Sequence, residues 1–248
     1  MTRGLPWLGL GLLILAQICY PLTGGGARAA LTITTVALGY LLSVSHAALT
    51  RGPRVATALV LVTTGGGLLV EAAGVSSGFP FGDYAYSDAL GPKIAGVPVV
   101  IPLAWTWMAW PAWLAAVRLV RHPAARILVA GVGLAAWDLF LDPQMVAEGY
   151  WTWSDPSPSL PGVPDVPLGN YAGWLVVAVL MMALFAGLAG PTSPGRDAPM
   201  YALYLWTYYS SILAHAAFLG LPASAGWGAL AMGLVAVPLT FRVRAWPR

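Results

Sequence analysis

Three carboxyl groups stand where a chain of this kind should avoid them. Glu71, Asp138 and Asp142 fall inside or at the edge of long apolar stretches. The other six acids, Asp83, Asp88, Glu148, Asp155, Asp165 and Asp197, fall in the segments between stretches. A carboxylate in hydrocarbon costs several kcal/mol, so such residues usually face a protein interior and serve a function. Asp138 and Asp142 are four residues apart and share one helix face. Two carboxyls that close can hold one proton between them, and a protonated acid beside an ionised one suits acid–base chemistry. In apolar surroundings the substrate is a lipid, and the natural target of such an acid is a carbon–carbon double bond. Protonation gives a carbocation, which aromatic faces stabilise. The chain has 12 Trp and 10 Tyr, and Trp105, Trp107, Trp110, Trp137, Trp151, Trp153 and Trp174 crowd near these acids. Plainer uses stay open. Asp142 can end its helix before Pro143, Glu71 can pair with Lys93 or Arg28, and an interfacial aromatic belt accounts for Trp7, Trp227 and Trp246.

The remaining polar groups say less. His215 can reach the same region from the seventh stretch, or it can simply bridge helices. His46 lies near the opposite end of the second stretch, and His122 lies in a basic turn. No two histidines have metal-ligand spacing, and Cys19 stands alone, so neither a metal nor another cofactor is expected.

The elements that must position these groups follow from composition. Of 248 residues, 58% are apolar and 8% charged. Soluble domains carry about 25% charged residues, and disordered chains carry more charge and less apolar mass, so both classes are excluded. A helix needs about 20 mostly apolar residues to cross hydrocarbon. Eight stretches qualify, at about 5–23, 29–49, 55–75, 98–119, 126–143, 171–190, 200–220 and 222–241. The turn around Leu221-Pro222 is weak, so seven spans also fit. The expected fold is all-α, a polytopic transmembrane bundle forming one domain over 1–248. The first stretch lacks a small-residue cleavage site and reads as a retained span. No internal repeat is evident.

With eight spans and both termini cytoplasmic, ten of the twelve basic residues face inward: Arg3, Arg51, Arg54, Arg118, Arg121, Arg126, Arg196, Arg242, Arg244 and Arg248. Only Arg28 and Lys93 face outward, as the positive-inside rule requires for a chain in the cytoplasmic membrane. The net charge of +3 therefore reports topology, and the scattered basic turns are no footprint for nucleic acid. Two long segments, about 76–97 and 144–170, fall outside and roof the acids, which lie in the same outer half. Glu71 is about four residues from the outer end of its span, or ~6 Å. Tight turns at Phe79-Pro80-Phe81-Gly82 and Gly91-Pro92 would fold the first segment back as a lid.

The segments also carry a resemblance. Gly78-Phe79-Pro80-Phe81-Gly82-Asp83-Tyr84-Ala85-Tyr86 is followed by Leu90-Gly91-Pro92-Lys93-Ile94-Ala95-Gly96-Val97-Pro98 and Ile101-Pro102-Leu103-Ala104-Trp105. Later come Ala136-Trp137-Asp138-Leu139-Phe140-Leu141-Asp142-Pro143, Trp151-Thr152-Trp153 and Asn170-Tyr171-Ala172-Gly173-Trp174. This order, over about 65–180, resembles the integral-membrane carotenoid 1′,2′-hydratases. The segment 154–165 departs from the family in being longer and proline-rich. The resemblance implies a carotenoid substrate, water added across the terminal double bond of an acyclic end, a tertiary alcohol as product, and other carotenoid-pathway enzymes as partners beside membrane lipid.

The residues themselves suggest the mechanism. Asp138 by preference protonates the less substituted carbon. Asp142 or Glu71 orients water and takes its proton, and the two aspartates can exchange roles. Phe81, Asp83, Tyr84, Tyr86, Trp105, Trp137, Trp151, Trp153, Asn170, Trp174 and His215 are the expected substrate contacts. Three rivals remain. A cyclase or isomerase would use the same proton donor. A prenyltransferase would use Asp138-x-x-x-Asp142 on Mg²⁺, but a second acidic motif and outer basic residues are missing. A carotenoid- or lipid-binding protein would turn nothing over.

Overall fold

The computed structural model describes residues 4–192 and 195–244. Arg3, Trp246 and Arg248 lie outside them. Helix α1 (Leu5–Cys19) ends in a 3₁₀ turn at Tyr20–Leu22, and α2 covers Gly25–Arg51. The third column is α3 (Pro53–Leu59), a π-helical stretch (Val60–Gly65) and α4 (Gly66–Ser77). A loop with strands β1 (Tyr84–Tyr86), β2 (Lys93–Ile94) and β3 (Val97–Pro98) leads to α5 (Val100–Leu119). The fifth column is α6 (Pro123–Ala135) and α7 (Asp138–Ala147). Strands β4 (Trp151–Trp153), β5 (Ser159–Leu160) and β6 (Val163–Pro167) precede α8 (Leu168–Ala189), α9 (Ala198–Ala217) and α10 (Pro222–Arg244). Proline opens α3, α6 and α10, and left-handed glycines follow the ends of several helices, as at Gly78 (φ 73°) after α4. Proline's fixed φ suits a first turn, and glycine bears the reversal after the last.

Seven of these columns are long and apolar enough to cross a membrane. The eighth long helix, α9, has 20 residues without Asp, Glu, Lys or Arg, but Tyr201, Tyr204, Thr207, Tyr208, Tyr209, Ser210 and Ser211 lower its hydropathy. Helix α5 is the axis of the bundle, buried along nearly its whole length, with Trp105, Trp107, Trp110 and Trp113 all inside. Exposed leucines line the outer faces of other helices, such as Leu8, Leu12 and Leu15 on α1 and Leu180, Leu184 and Leu188 on α8. Such stripes would be an aggregation hazard in water, but hydrocarbon is their natural solvent.

Buried prolines are compensated across helices. Pro111 inside α5 leaves the Trp107 carbonyl without its helical donor, and the Ser43 hydroxyl donates to that carbonyl at 2.8 Å. Pro143 inside α7 frees the Leu139 carbonyl, and the Ser224 hydroxyl of α10 donates to it at 2.6 Å. With no water in the bilayer core, a neighbouring helix must supply the donor.

Polar contacts gather at opposite poles. At one, Arg51 donates to Asp197 at 2.8 Å, Arg126 to the Thr192 carbonyl and Arg118 to the Arg242 carbonyl. At the other, Arg28 pairs with Glu148, and Lys93 with Asp88 at 2.7 Å. Neither cation touches Glu71, so the simple ion-pair reading of that residue is set aside.

Three local features differ from the sequence expectation. The fifth apolar stretch is broken at Ala136–Trp137, and α7 then runs through Pro143, so Asp142 does not end its helix. The third column passes through a π stretch, which lets adjacent Thr63 and Thr64 both bond the Thr106 hydroxyl of α5. The long segments contain short antiparallel pairs, β1 with β4, β2 with β3 and β5 with β6.

Candidate active site

Glu71 sits on the face of α4 that also carries Gly67 and Gly74. At Gly67 a side chain would meet the Trp105 ring at 3.0 Å, and at Gly74 the Tyr84 hydroxyl at 2.7 Å. Glycine at both positions lets those two groups close on the carboxyl between them. Trp105 Nε1 donates to Glu71 Oε1 at 3.0 Å. The Tyr84 and Tyr86 hydroxyls both donate to Oε2, at 2.6 and 2.8 Å. Glu71 thus meets three donors. Behind them Trp105 stacks on Trp174, with centroids 3.8 Å apart and planes 8° from parallel.

The second acidic group is built differently. Both Asp138 and Asp142 accept from the one amide nitrogen of Asn170, Asp138 Oδ2 at 2.9 Å. Asn170 enters from the first turn of α8, and its amide has two hydrogens, one for each partner. Trp151 Nε1 donates to the other Asp142 oxygen at 3.1 Å. Asp138 Oδ1 is buried and meets no hydrogen-bond partner among the described residues.

A two-stranded ribbon joins the two groups. Strand β1 pairs antiparallel with β4, Tyr84 opposite Trp153 and Tyr86 opposite Trp151. Side chains alternate along strands, so Ala85 and Thr152 point outward while the four rings turn to the protein. Tyr86, on Glu71, lies edge to face with Trp151, on Asp142, with centroids 5.5 Å apart. Tyr84 lies 5.7 Å from Trp153, whose Nε1 donates to the Phe81 carbonyl. Both long segments therefore seat the carboxyls through side chains of a single ribbon.

Burial, and then the neighbouring Glu71 carboxyl, pushes the Tyr84 and Tyr86 phenols well above the ordinary value of 10.0. An unfolded tyrosine ionises near pH 10, whereas these two keep their protons when folded. Below pH 10 both states hold the proton, so the stabilisation is complete; above it the unfolded state alone loses protons and stability falls as pH rises. An alkaline titration followed at the tyrosinate absorbance should therefore give the same folded-state amplitude for wild type and for Tyr84→Phe/Tyr86→Phe. A smaller amplitude in the double variant would show that these hydroxyls ionise freely.

The groups open onto one cavity of about 370 Å³. Ligand sites commonly span about 300–1,000 Å³. Glu71, Asp142 and Asn170 form its acidic wall, and Phe81, Tyr84, Tyr86, Trp105, Trp137, Trp151, Trp153 and Trp174 line it around them. Three expected site residues stand elsewhere. Asp138 is fully buried behind the wall and reaches the cavity only through Asn170 and Asp142. Asp83 is exposed, because strand alternation turns it away from Tyr84, and its carboxylate lies against Gly78. His215 is buried outside the cavity, with both ring nitrogens engaged, Nδ1 with Ser224 at 2.9 Å and Nε2 with Gln144 at 3.1 Å. It is a helix-bridging histidine, and it steadies Gln144, which does line the cavity.

Sequence reasoning passed over several wall residues. Gln144 follows Pro143 directly, and Thr32 and Thr35 are three apart on α2, facing the cavity. Gln17 is the one amide in apolar α1, and Trp206 of α9 donates to it at 2.7 Å. For Gln17, a lone amide in an apolar helix was the available signal.

A polytopic bundle of membrane-length helices, with Glu71 and Asp142 on the wall of an apolar, aromatic cavity, is a membrane protein suited to an apolar ligand. Residues 26–240 match the family described as carotenoid biosynthesis protein, and the chain belongs to it. A bisanhydrobacterioruberin hydratase of Haloarcula japonica is 35% identical over 138 residues, which cover 52% of this chain and 45% of that protein. The match thus spans less than half of that relative's length. No solved structure matches the chain.

Proposed function

We propose that this protein adds water across the terminal 1′,2′ double bond of an acyclic carotenoid end, giving a tertiary alcohol. The observation that carries this reading is the placement of Asp142 on the wall of an apolar cavity, tied through Asn170 to a second, hidden carboxyl. The hydratase relative supports it independently. Asp142, being the aspartate on the wall, gives its proton to the less substituted alkene carbon. The carbon–carbon π pair forms the new C–H bond, and the tertiary carbon becomes cationic. Trp105, Trp137, Trp174 and the tyrosines line the cavity around it, and aromatic rings stabilise such a cation. Glu71, which meets donors only, adds a fixed negative field. Water forms the C–O bond. Its proton goes to the Asp142 carboxylate that the first step left ionised, so no proton is consumed overall. Asp138 acts through Asp142 as a positioning and proton-holding residue. The roles sketched from sequence, with Asp138 as the donor, are thereby reassigned.

On the arginine count, the ribbon and both acids lie toward the outer face of the cytoplasmic membrane, and both termini lie inside. The test is product analysis in a bacterium that accumulates lycopene. A more polar carotenoid heavier by one water is expected. A new product of unchanged mass would replace hydration by cyclisation or isomerisation, and no new product from a chain that retains bound carotenoid would make it a binding protein.

A further inference from the structure

The cavity does not close on itself. Beyond the acidic wall it reaches the seam between α1 and α9, where Ile18 and Leu22 face Leu213 and Phe218, all four exposed on the bundle surface. Farther along the same seam lies a second, shallow apolar groove, lined by Trp7, Leu10, Gly11 and Ile14 of α1 and by Ala202, Leu205 and Tyr209 of α9. Trp206 belongs to both spaces, and its bond to Gln17 bridges the seam where they meet. The two helices run side by side in the same direction, since later residues of α1 face later residues of α9 in both spaces. From Trp7 to Leu22 the seam is about 22 Å long at 1.5 Å per residue. Gly11 meets nothing where its side chain would be, so the groove is open at its middle.

A cavity of about 370 Å³ holds one end of a long isoprenoid, and the remainder must leave through the mouth. A conjugated polyene is a stiff rod and cannot fold back, so its exit needs a straight apolar track continuous with the cavity. We propose that the α1–α9 seam is the binding groove for the unreacted polyene body of the substrate, entered past the Gln17–Trp206 bridge. This rests on the hydration reading for which end is held, but the groove itself is tested by binding alone.

The experiment uses the full chain in phosphatidylcholine nanodiscs, titrated with lycopene. Binding is read as circular dichroism induced in the polyene's visible band and as quenching of tryptophan fluorescence. Gly11→Phe and Ala202→Phe fill the groove from its two walls, and Leu230→Phe, on the lipid-facing side of α10, is the control. Wild type and the control should bind alike, and each groove variant should bind about tenfold more weakly. Unchanged affinity in both groove variants overturns the proposal, as does a wild type without an induced signal. Displacement of lycopene by lycopane, its flexible saturated counterpart, as effectively as by a second conjugated carotene also overturns it, since the seam would then hold any lipid chain. Water addition is followed in the same samples. Binding without product removes the hydration reading and leaves the groove standing; product with unaffected groove variants does the reverse.

Discussion

Asp142→Asn should slow water addition by roughly 10²–10⁴-fold, the span that a positioned acid or base typically contributes. The amide keeps the size of the carboxyl and an oxygen for Trp151, so the bundle should still fold and still take up carotenoid. Turnover of the purified variant against lycopene measures the loss. Full activity would remove Asp142 as the donor. The comparison with Asp138→Asn is the sharper part. Asp138 has no surface on the cavity, so its loss should act through the partner: a smaller fall, with a displaced pH–rate profile. Should Asp138→Asn abolish turnover and Asp142→Asn spare it, the two have exchanged roles, and the aspartate behind the wall must move to reach substrate.

Glu71→Gln should lower kcat by about 10²–10³-fold, on the scale of removing one preorganised electrostatic contact to a developing charge. The charge matters only once the cation forms, so KM for the carotenoid should change little. The new amide would also turn two hydrogens toward hydroxyls that are themselves donors, Tyr84 and Tyr86. One unsatisfied buried group costs about 1–3 kcal/mol, so a lower melting temperature in detergent should accompany the kinetic loss. A raised KM with kcat intact would instead make Glu71 a ground-state contact.

The eight-column plan was legible because hydropathy and glycine–proline punctuation act over whole spans, and Pro53, Pro123 and Pro222 stand at or near the helix starts. Asp138 and Asp142 were legible from their spacing. Their division into one wall residue and one hidden residue was not, because it depends on the break at Ala136–Trp137, which no proline or glycine marks. Tyr84-Ala-Tyr86 and Trp151-Thr-Trp153 each alternate as strands do, but three residues are too few to distinguish from an aromatic-rich loop. Only their pairing across 64 intervening positions of chain, between Tyr86 and Trp151 at their nearest, makes each a strand. For His215 the sequence leaves both the pocket and a helix bridge open, for a related reason. Depth along a helix is readable, whereas rotation toward Ser224 and Gln144 is decided by packing.

The order of the partners along the chain bears on biogenesis. Glu71, Asp138 and Asp142 each leave the ribosome before the tyrosine, tryptophan and asparagine donors that will hold them. Glu71 waits 13 residues for Tyr84 and 34 for Trp105. Asp142 waits 9 for Trp151 and 28 for Asn170. Until then a bare acid would have to sit in lipid at a cost of several kcal/mol. The third and fifth columns are therefore poor candidates for independent release from the insertion machinery. Each should stay beside the translocon until the segment after it and the next helix have been made, so that the acids would set an order of membrane insertion besides serving chemistry.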